Sequence, residues 1–196
     1  INVIESDGCT KMLTLEGEEH ELPENAIVIS DKDKDPVAIA GIKGGLKSGI
    51  SDDTNSVLFE AAVFDYATIR KASRTIGLIT DSSQRYEKSL DPELTPVALS
   101  RIVYLLQEID KGVKVSSRLS DCYKKKYDKI TIDLDPTFIG KIAGADISKE
   151  FIVKTLKSLE FEVEENGDIL RVEVPTFRAT KDVSIKEDLV EEIFRM

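Results

Sequence analysis

The stretch FEVEENGDILRVEV, residues 161–174, decides the fold of the second half of the chain. Apolar and polar residues alternate on both sides of Asn166-Gly167, and an Asn-Gly pair between two alternating runs is the strongest short-range signal for a β-hairpin. The sequence therefore predicts antiparallel strands at residues 161–163 and 169–174, with a tight turn at residues 165–168 between them.

The segments around this hairpin complete a small α+β unit. A strand is predicted at residues 129–133, a short helix at 136–143, and a second helix capped by Ser148. After the hairpin, Ser184 and Glu187 have the spacing of a capping box that opens an amphipathic helix. The order strand, helix, helix, hairpin, helix resembles a winged-helix arrangement, a shape that serves nucleic-acid binding and plain protein contacts alike.

The first half of the chain reads as strands and turns followed by helices, so the fold class is α+β. Strands are predicted at residues 2–4, 12–15, 26–29, 36–40 and 56–64, the last being the longest. Asp65 caps a helix that Gly77 ends, and Thr95 with Pro96 opens the clearest helix, which Gly112 closes.

A basic stretch separates the two halves. Residues 111–126 resemble an edge strand and a linker, which places a domain boundary at about Lys126 and gives domains 1–126 and 127–196. Residues 124–126, Lys-Lys-Lys, are either a nucleic-acid contact or a solvated linker.

Composition limits the function classes. With 41% hydrophobic and 33% charged residues the chain is an ordinary soluble globular protein, with no signal peptide and no apolar run that could span a membrane. Two cysteines and one histidine make a reducing cytoplasm more plausible than secretion, and cannot form a Cys/His zinc site. A net charge of −10 argues against a free-standing nucleic-acid binder. The start at Ile1 indicates a piece of a longer chain.

Three segments of the first half carry candidate site residues. Residues 41–45 (GIKGG) follow a strand, and glycines there either form a tight turn or let the backbone approach a ligand. Glu60 lies in an apolar run, so its carboxylate must face a cleft, a partner or water. Thr80 and Ser82 belong to a hydroxyl-rich loop, for which helix capping is the simpler interpretation.

An acidic group lies near the C-terminus. Asp188, Glu191 and Glu192 share one helical face, and Asp182 precedes them. Oxygen ligands of this kind suit Mg²⁺. The alternative is that acidic residues simply stabilise the first turn of the helix.

The order of the motifs is more specific than any one of them. In the first half they are residues 41–45 (GIKGG), 58–62 (LFEAA), 69–74 (IRKASR), 78–87 (LITDSSQRYE) and 90–92 (LDP); in the second half they are 175–178 (PTFR), 181–184 (KDVS) and 187–193 (EDLVEEI). This series resembles the beta chains of bacterial phenylalanyl-tRNA synthetases, across the editing domain and the domain that follows it.

The resemblance implies an α₂β₂ enzyme in the cytoplasm whose alpha chain attaches phenylalanine to its tRNA with ATP. The beta chain would hydrolyse tyrosine wrongly attached to that tRNA. Gly41 and Gly44 would then form the backbone wall of the editing pocket, Glu60 would recognise the tyrosine phenol, and Thr80 and Ser82 would position the ester or the attacking water.

The resemblance also implies a Mg²⁺ site at Asp182, Asp188, Glu191 and Glu192, shared with the alpha chain. It departs at Ser82, where many members have alanine, and the histidine-bearing editing segment of the family would lie before Ile1. The competing hypothesis is a non-catalytic module for subunit assembly or tRNA docking. A third hypothesis is a stand-alone winged-helix nucleic-acid binder.

Overall fold

The structure is a computed structural model that describes residues 1–123 and 126–196. It contains two compact units, Ile1–Ile102 and Val103–Met196. The predicted boundary at about residue 126 stays a prediction, and the basic run at 124–126 lies largely outside the described residues. No helix in the described part of the chain is long and apolar enough to cross a membrane.

The first unit begins with two small antiparallel sheets. Its strands are β1 (Asn2–Glu5), β2 (Lys11–Leu13), β3 (Glu19–Glu21), β4 (Ile27–Ser30), β5 (Pro36–Ile39) and β6 (Lys43–Gly44). The larger sheet has the order β1-β4-β5-β6, and β2 pairs with β3. A bridge from Thr14 to Gly45 joins the end of β2 to the end of β6.

Three helices follow, namely α1 (Tyr66–Ile76), α2 (Asp81–Tyr86) and α3 (Thr95–Ile109). The predicted limits of α1 are confirmed: the Asp65 carboxylate accepts the Thr68 N–H at 2.8 Å, and Gly77 ends the helix at φ 74°. Ile69 and Ala72 of α1 are buried in the same apolar core as Val28 and Ile39 of the sheet. The helix therefore covers one face of that sheet.

The predicted strand at residues 56–64 is wrong. This segment pairs with no other strand among the described residues, and Val57, Leu58 and Phe59 are exposed. An apolar run predicts a side-chain pattern, but a strand also requires a neighbouring chain for its backbone N–H and C=O groups. This segment therefore carries Glu60 without the support of a sheet.

The start and end of α3 also differ from the prediction. A 3₁₀ turn (Pro92–Leu94), capped by the Asp91 carboxylate, runs directly into the helix, and the Thr95 hydroxyl donates to the Pro92 carbonyl at 2.9 Å instead of capping. The helix ends at Ile109, before Gly112, and no strand forms at residues 111–123. None of the residues of α3 is buried.

The second unit confirms the predicted α+β order. It contains β7 (Thr131–Leu134), α4 (Pro136–Ala143), α5 (Lys149–Ser158), β8 (Glu162–Asn166), β9 (Ile169–Glu173), α6 (Thr176–Ala179) and α7 (Lys186–Phe194). The sheet has the antiparallel order β7-β9-β8, and its core includes Leu134, Leu156, Leu170 and Leu189. Asn166 pairs with Ile169, so the turn consists of Gly167 and Asp168, one residue later than predicted.

Candidate functional site

The first candidate site is built on the turn between β5 and β6. Gly41 has a φ of 65°, in the left-handed region that glycine adopts most readily. A Cβ atom at this position would also lie only 3.0 Å from Cγ of Tyr86. Backbone conformation and side-chain packing therefore both require a glycine at residue 41.

The beginning of α2 is bonded to this turn at two points. The Thr80 hydroxyl donates to the Ile42 carbonyl at 2.9 Å, and the Ser82 hydroxyl donates to the Gly41 carbonyl at 2.9 Å. Thr80 also caps α2 by accepting the Ser83 N–H at 3.0 Å. The capping interpretation of Thr80 is thus confirmed, and both hydroxyl protons are already used to hold the turn.

Glu60 is the charged group of this site. Its carboxylate is exposed and makes no hydrogen bond or ion pair with any residue that the structure describes. The protein atoms packed around it remove part of its hydration and raise its pKa. Burial raises the pKa of Tyr86, and the nearby charge of Glu60 raises it further. Glu60 therefore lies within electrostatic range of Tyr86, whose ring packs against Gly41.

Gly44 occupies a different environment. It lies in β6 opposite Ala38, and a Cβ atom there would be 3.2 Å from Leu15 Cδ1. The Leu15 N–H donates to the Gly44 carbonyl at 3.2 Å. The structure thus brings together Gly41, Thr80 and Ser82, with Glu60 within electrostatic range of Tyr86, while Gly44 packs against Leu15. The contact of Tyr86 with Gly41 was not expected, because nothing in the motif at residues 78–87 marks Tyr86 as a packing partner of the turn.

The acidic residues near the C-terminus are mostly engaged with arginine. Arg178, from α6, pairs with Asp182, and its Nη2 and Nη1 atoms lie 2.9 and 3.1 Å from the two carboxylate oxygens of Glu192. Arg195 Nη1 also contacts Glu192 at 3.1 Å. The side chains of Arg178 and Glu192 are only 17% and 9% exposed, so this is a largely buried ion pair.

Asp188 serves the start of α7. Its carboxylate accepts the backbone N–H groups of Ser184 at 2.8 Å and Ile185 at 3.0 Å, and these bonds lower its pKa. The predicted capping box of Ser184 with Glu187 is therefore wrong. The helix begins at Lys186, and its N-cap is Ile185, one residue later than the predicted Ser184. Asp188 is the acidic residue whose carboxylate accepts the backbone N–H groups at the start of the helix.

These residues do not fit a magnesium site within this chain. Among residues 1–123 and 126–196, no three His, Cys, Asp or Glu side chains converge in a way that could hold a metal ion. Arg178 neutralises Asp182 and Glu192, and Asp188 is bonded to backbone N–H groups at the start of α7. Of the four acidic residues, only Glu191 is both exposed and without a side-chain partner among the described residues. The Mg²⁺ prediction gains no support from this arrangement.

A pair of substitutions distinguishes capping from metal binding. We expect Asp188→Ala to lower the free energy of unfolding by about 1 kcal/mol without any added Mg²⁺. The matched change Glu191→Ala should stay within about 0.5 kcal/mol of wild type. Urea denaturation followed by circular dichroism measures both.

The stabilisation of the folded chain by Asp188 changes with pH in a definite direction. Because the folded-state pKa of Asp188 is lowered, its stabilisation is complete above the unfolded pKa and is lost as the pH falls through the folded value, below about pH 4. Equal stabilities of the Asp188→Ala and wild-type chains at neutral pH would contradict the capping role.

Comparisons with known proteins agree with the two units. Residues 1–111 match the sequence profile of the B3/4 domain, and residues 132–196 match that of the tRNA synthetase B5 domain. The phenylalanine–tRNA ligase beta subunits of Clostridium acetobutylicum and Clostridium tetani are 41% and 39% identical over 186 residues, and that of Salinibacter ruber is 37% identical over 196.

These matches span 95%, 95% and 100% of this chain but 23% of each relative, so the chain spans about a quarter of their length. A crystal structure of an N-terminal fragment of the Pyrococcus horikoshii phenylalanyl-tRNA synthetase beta subunit has a TM-score of 0.48 and 14% identity, covering 98% of this chain and 54% of that one. The chain belongs to the B3/4 domain family, continues into a tRNA synthetase B5 domain, and is homologous to one region of phenylalanine–tRNA ligase beta subunits.

Proposed function

We propose that this chain is the editing region of a phenylalanine–tRNA ligase beta subunit and that it hydrolyses tyrosine wrongly attached to the tRNA for phenylalanine. The observation that carries the proposal is the placement of Glu60. A carboxylate without a bonding partner among the described residues lies four residues before Phe64, whose ring pairs with Tyr86 beside the glycine turn. Such a group is available to accept a hydrogen bond from a ligand.

The chemistry of discrimination follows from this carboxylate. The phenol of a tyrosyl ester donates a hydrogen bond to Glu60, whereas a phenylalanyl ester bound at the same place removes water from the carboxylate and offers it no donor. A site that hydrogen-bonds a substrate hydroxyl rejects the analogue without it far better than an apolar pocket does. Tyrosine is therefore the favoured ligand.

Hydrolysis in this proposal uses water. The water oxygen bonds to the ester carbonyl carbon, the bond from that carbon to the ribose oxygen breaks, and the ribose oxygen takes a proton. The one histidine of this chain lies in β3 and not at this turn, and in this proposal the attacking water is positioned with the help of the tRNA itself. Thr80 and Ser82 contribute by fixing the turn, and each oxygen keeps lone pairs that accept hydrogen bonds.

The rest of the enzyme belongs to the same proposal. Two copies of this chain and two alpha subunits would assemble in the cytoplasm as α₂β₂. The alpha subunit would attach phenylalanine to the tRNA using ATP, and the beta subunit would contact the tRNA. The named relatives, which are beta subunits of a ligase, support this assignment. No step is assigned to Mg²⁺, because the acidic residues here are held by arginine and by a helix start.

A non-catalytic docking or assembly module is the second candidate. The exposed apolar residues of α3, including Val97 and Ile109, favour it because they offer a surface for a partner. The two candidates are separated by incubating tyrosyl-tRNA and phenylalanyl-tRNA with the full-length beta subunit assembled with its alpha partner. If the chain edits, tyrosine is released rapidly from its tRNA and phenylalanine is not. If both esters are equally stable, the docking or assembly module is the remaining candidate.

A further inference from the structure

The segment that carries Glu60 pairs with no strand in the part of the chain that the structure describes. A backbone without ladder hydrogen bonds is held only by its side-chain contacts. Val57, Leu58 and Phe59 point largely into solvent, while residues 61–64 become half-buried as the chain approaches α1. Phe64, at the half-buried end of the segment, supplies one ring contact for it.

Phe64 packs against Tyr86. The two ring centroids are 5.6 Å apart and the ring planes are tilted by 40°, a favourable arrangement for an aromatic pair. Both rings pack against the buried core of the first unit. The Phe64–Tyr86 pair is thus one of the contacts between the Glu60 segment and the rest of this unit.

The other side of Tyr86 faces the glycine turn. A Cβ atom on Gly41 would lie 3.0, 3.1 and 3.3 Å from Cγ, Cβ and Cδ1 of Tyr86, so the ring base is in direct contact with the turn. Tyr86 is also the last residue of α2, whose first turn is bonded to the carbonyls of Gly41 and Ile42. Helix and turn therefore form one connected support for the ring.

We propose that Tyr86 is a positioning residue, whose ring holds the segment bearing Glu60 beside the Gly41 turn and thereby sets the space between them, the cleft that in the editing proposal receives the tyrosyl side chain. This inference rests on the proposed editing function for its ligand. The positioning itself rests on the contacts of Tyr86 with Gly41 and Phe64. Neither contact involves the hydroxyl group, and that hydroxyl makes no hydrogen bond within the described residues.

The role of the ring predicts how three variants behave. Tyr86→Phe keeps both ring contacts and should preserve the cleft. Tyr86→Leu fills the core but removes the aromatic pair, and Phe64→Leu removes the same pair from the other side. We expect the two leucine variants to share one defect and the phenylalanine variant to lack it.

The first measurement needs no tRNA. In the chain with ¹³C-labelled glutamate carboxyls, NMR titration gives the pKa of Glu60, after circular dichroism has established that each variant is folded. The wild-type and Tyr86→Phe chains should show a raised pKa for Glu60, and in Tyr86→Leu and Phe64→Leu it should return towards the ordinary value as the segment moves into water. An unchanged pKa of Glu60 in both folded leucine variants would overturn the positioning role.

The second measurement is a double-mutant cycle in the full-length assembled enzyme. Tyr86→Leu should lower kcat/KM for tyrosyl-tRNA hydrolysis by about tenfold, and it should have little further effect when Glu60→Gln is already present. A purely structural role would lower both backgrounds equally, which would contradict the proposal. If wild-type enzyme fails to hydrolyse tyrosyl-tRNA, the editing function is rejected, and the NMR titration still decides the role of Tyr86.

Discussion

Replacing Glu60 by alanine in the full-length subunit, assembled with its alpha partner, is expected to lower kcat/KM for hydrolysis of tyrosyl-tRNA by about 10- to 100-fold. A hydrogen bond between a neutral donor and a charged acceptor is worth about 1.5–3 kcal/mol, and every 1.4 kcal/mol corresponds to a factor of ten. The loss should fall on tyrosyl-tRNA alone, because phenylalanine has no hydroxyl to donate.

A matched variant separates this effect from a general loss of acidic charge. Glu21 lies in β3 and is exposed, and its side chain makes no hydrogen bond or ion pair among the described residues. Glu21→Gln should therefore hydrolyse tyrosyl-tRNA at the wild-type rate. If Glu60→Ala did the same, the role of Glu60 in recognising the phenol would be rejected.

The pH dependence of kcat/KM for tyrosyl-tRNA tests the role of the Glu60 carboxylate independently. The ionised carboxylate is the stronger acceptor, and partial burial raises the pKa of Glu60 above its ordinary value. Recognition should therefore be complete above that raised pKa and decline as the pH falls through it. In Glu60→Gln the corresponding decline should be absent when kcat/KM is measured across the same pH range.

The second large effect concerns the stability of the second unit. Arg178→Met is expected to lower the free energy of unfolding by about 3–5 kcal/mol, because it leaves the buried carboxylate of Glu192 without its main cation. Arg178 also places its guanidinium carbon 5.8 Å from the ring centroid of Phe161, a contact that methionine keeps only in part. Urea denaturation followed by circular dichroism measures the loss.

An exposed arginine pair in the same unit is the control. Arg171 contacts Asp133 at 3.4 Å, with side chains 53% and 63% exposed, and such surface pairs contribute about 0–1 kcal/mol. Arg171→Met should therefore be nearly neutral. Equal losses from the two substitutions would show that burial of the Arg178–Glu192 pair does not matter.

Local signals predicted much of the fold. The helix from Tyr66 to Ile76 is defined by its cap at Asp65 and its glycine at residue 77, and α4 has its predicted bounds because a proline begins it and Gly144 ends it. The hairpin is also confirmed, displaced by one residue at its turn. Each of these features depends on neighbours within a few positions, which a sequence displays directly.

The failures have long-range causes. Residues 56–64 have the composition of a strand, yet no strand within the described ranges pairs with them, and a local pattern does not show pairing. Similarly, the contact of Tyr86 with Gly41 joins residues 45 positions apart, and nothing in the run Arg85-Tyr86-Glu87 indicates it. The Mg²⁺ site at the acidic group stays a prediction, and the pairing of Arg178 with Asp182 and Glu192 is a contact that the spacing of the carboxylates does not reveal.

The most direct test of phenol recognition by Glu60 is the ratio of kcat/KM for hydrolysis of tyrosyl-tRNA to kcat/KM for hydrolysis of phenylalanyl-tRNA. This ratio is measured in the wild-type and Glu60→Gln enzymes at the same pH. If Glu60 recognises the phenol, the ratio is large for the wild type and falls steeply in Glu60→Gln, because the amide removes the charge from the acceptor of the phenol hydrogen bond. A ratio that is the same in both enzymes would contradict this role of Glu60, whatever the absolute rates.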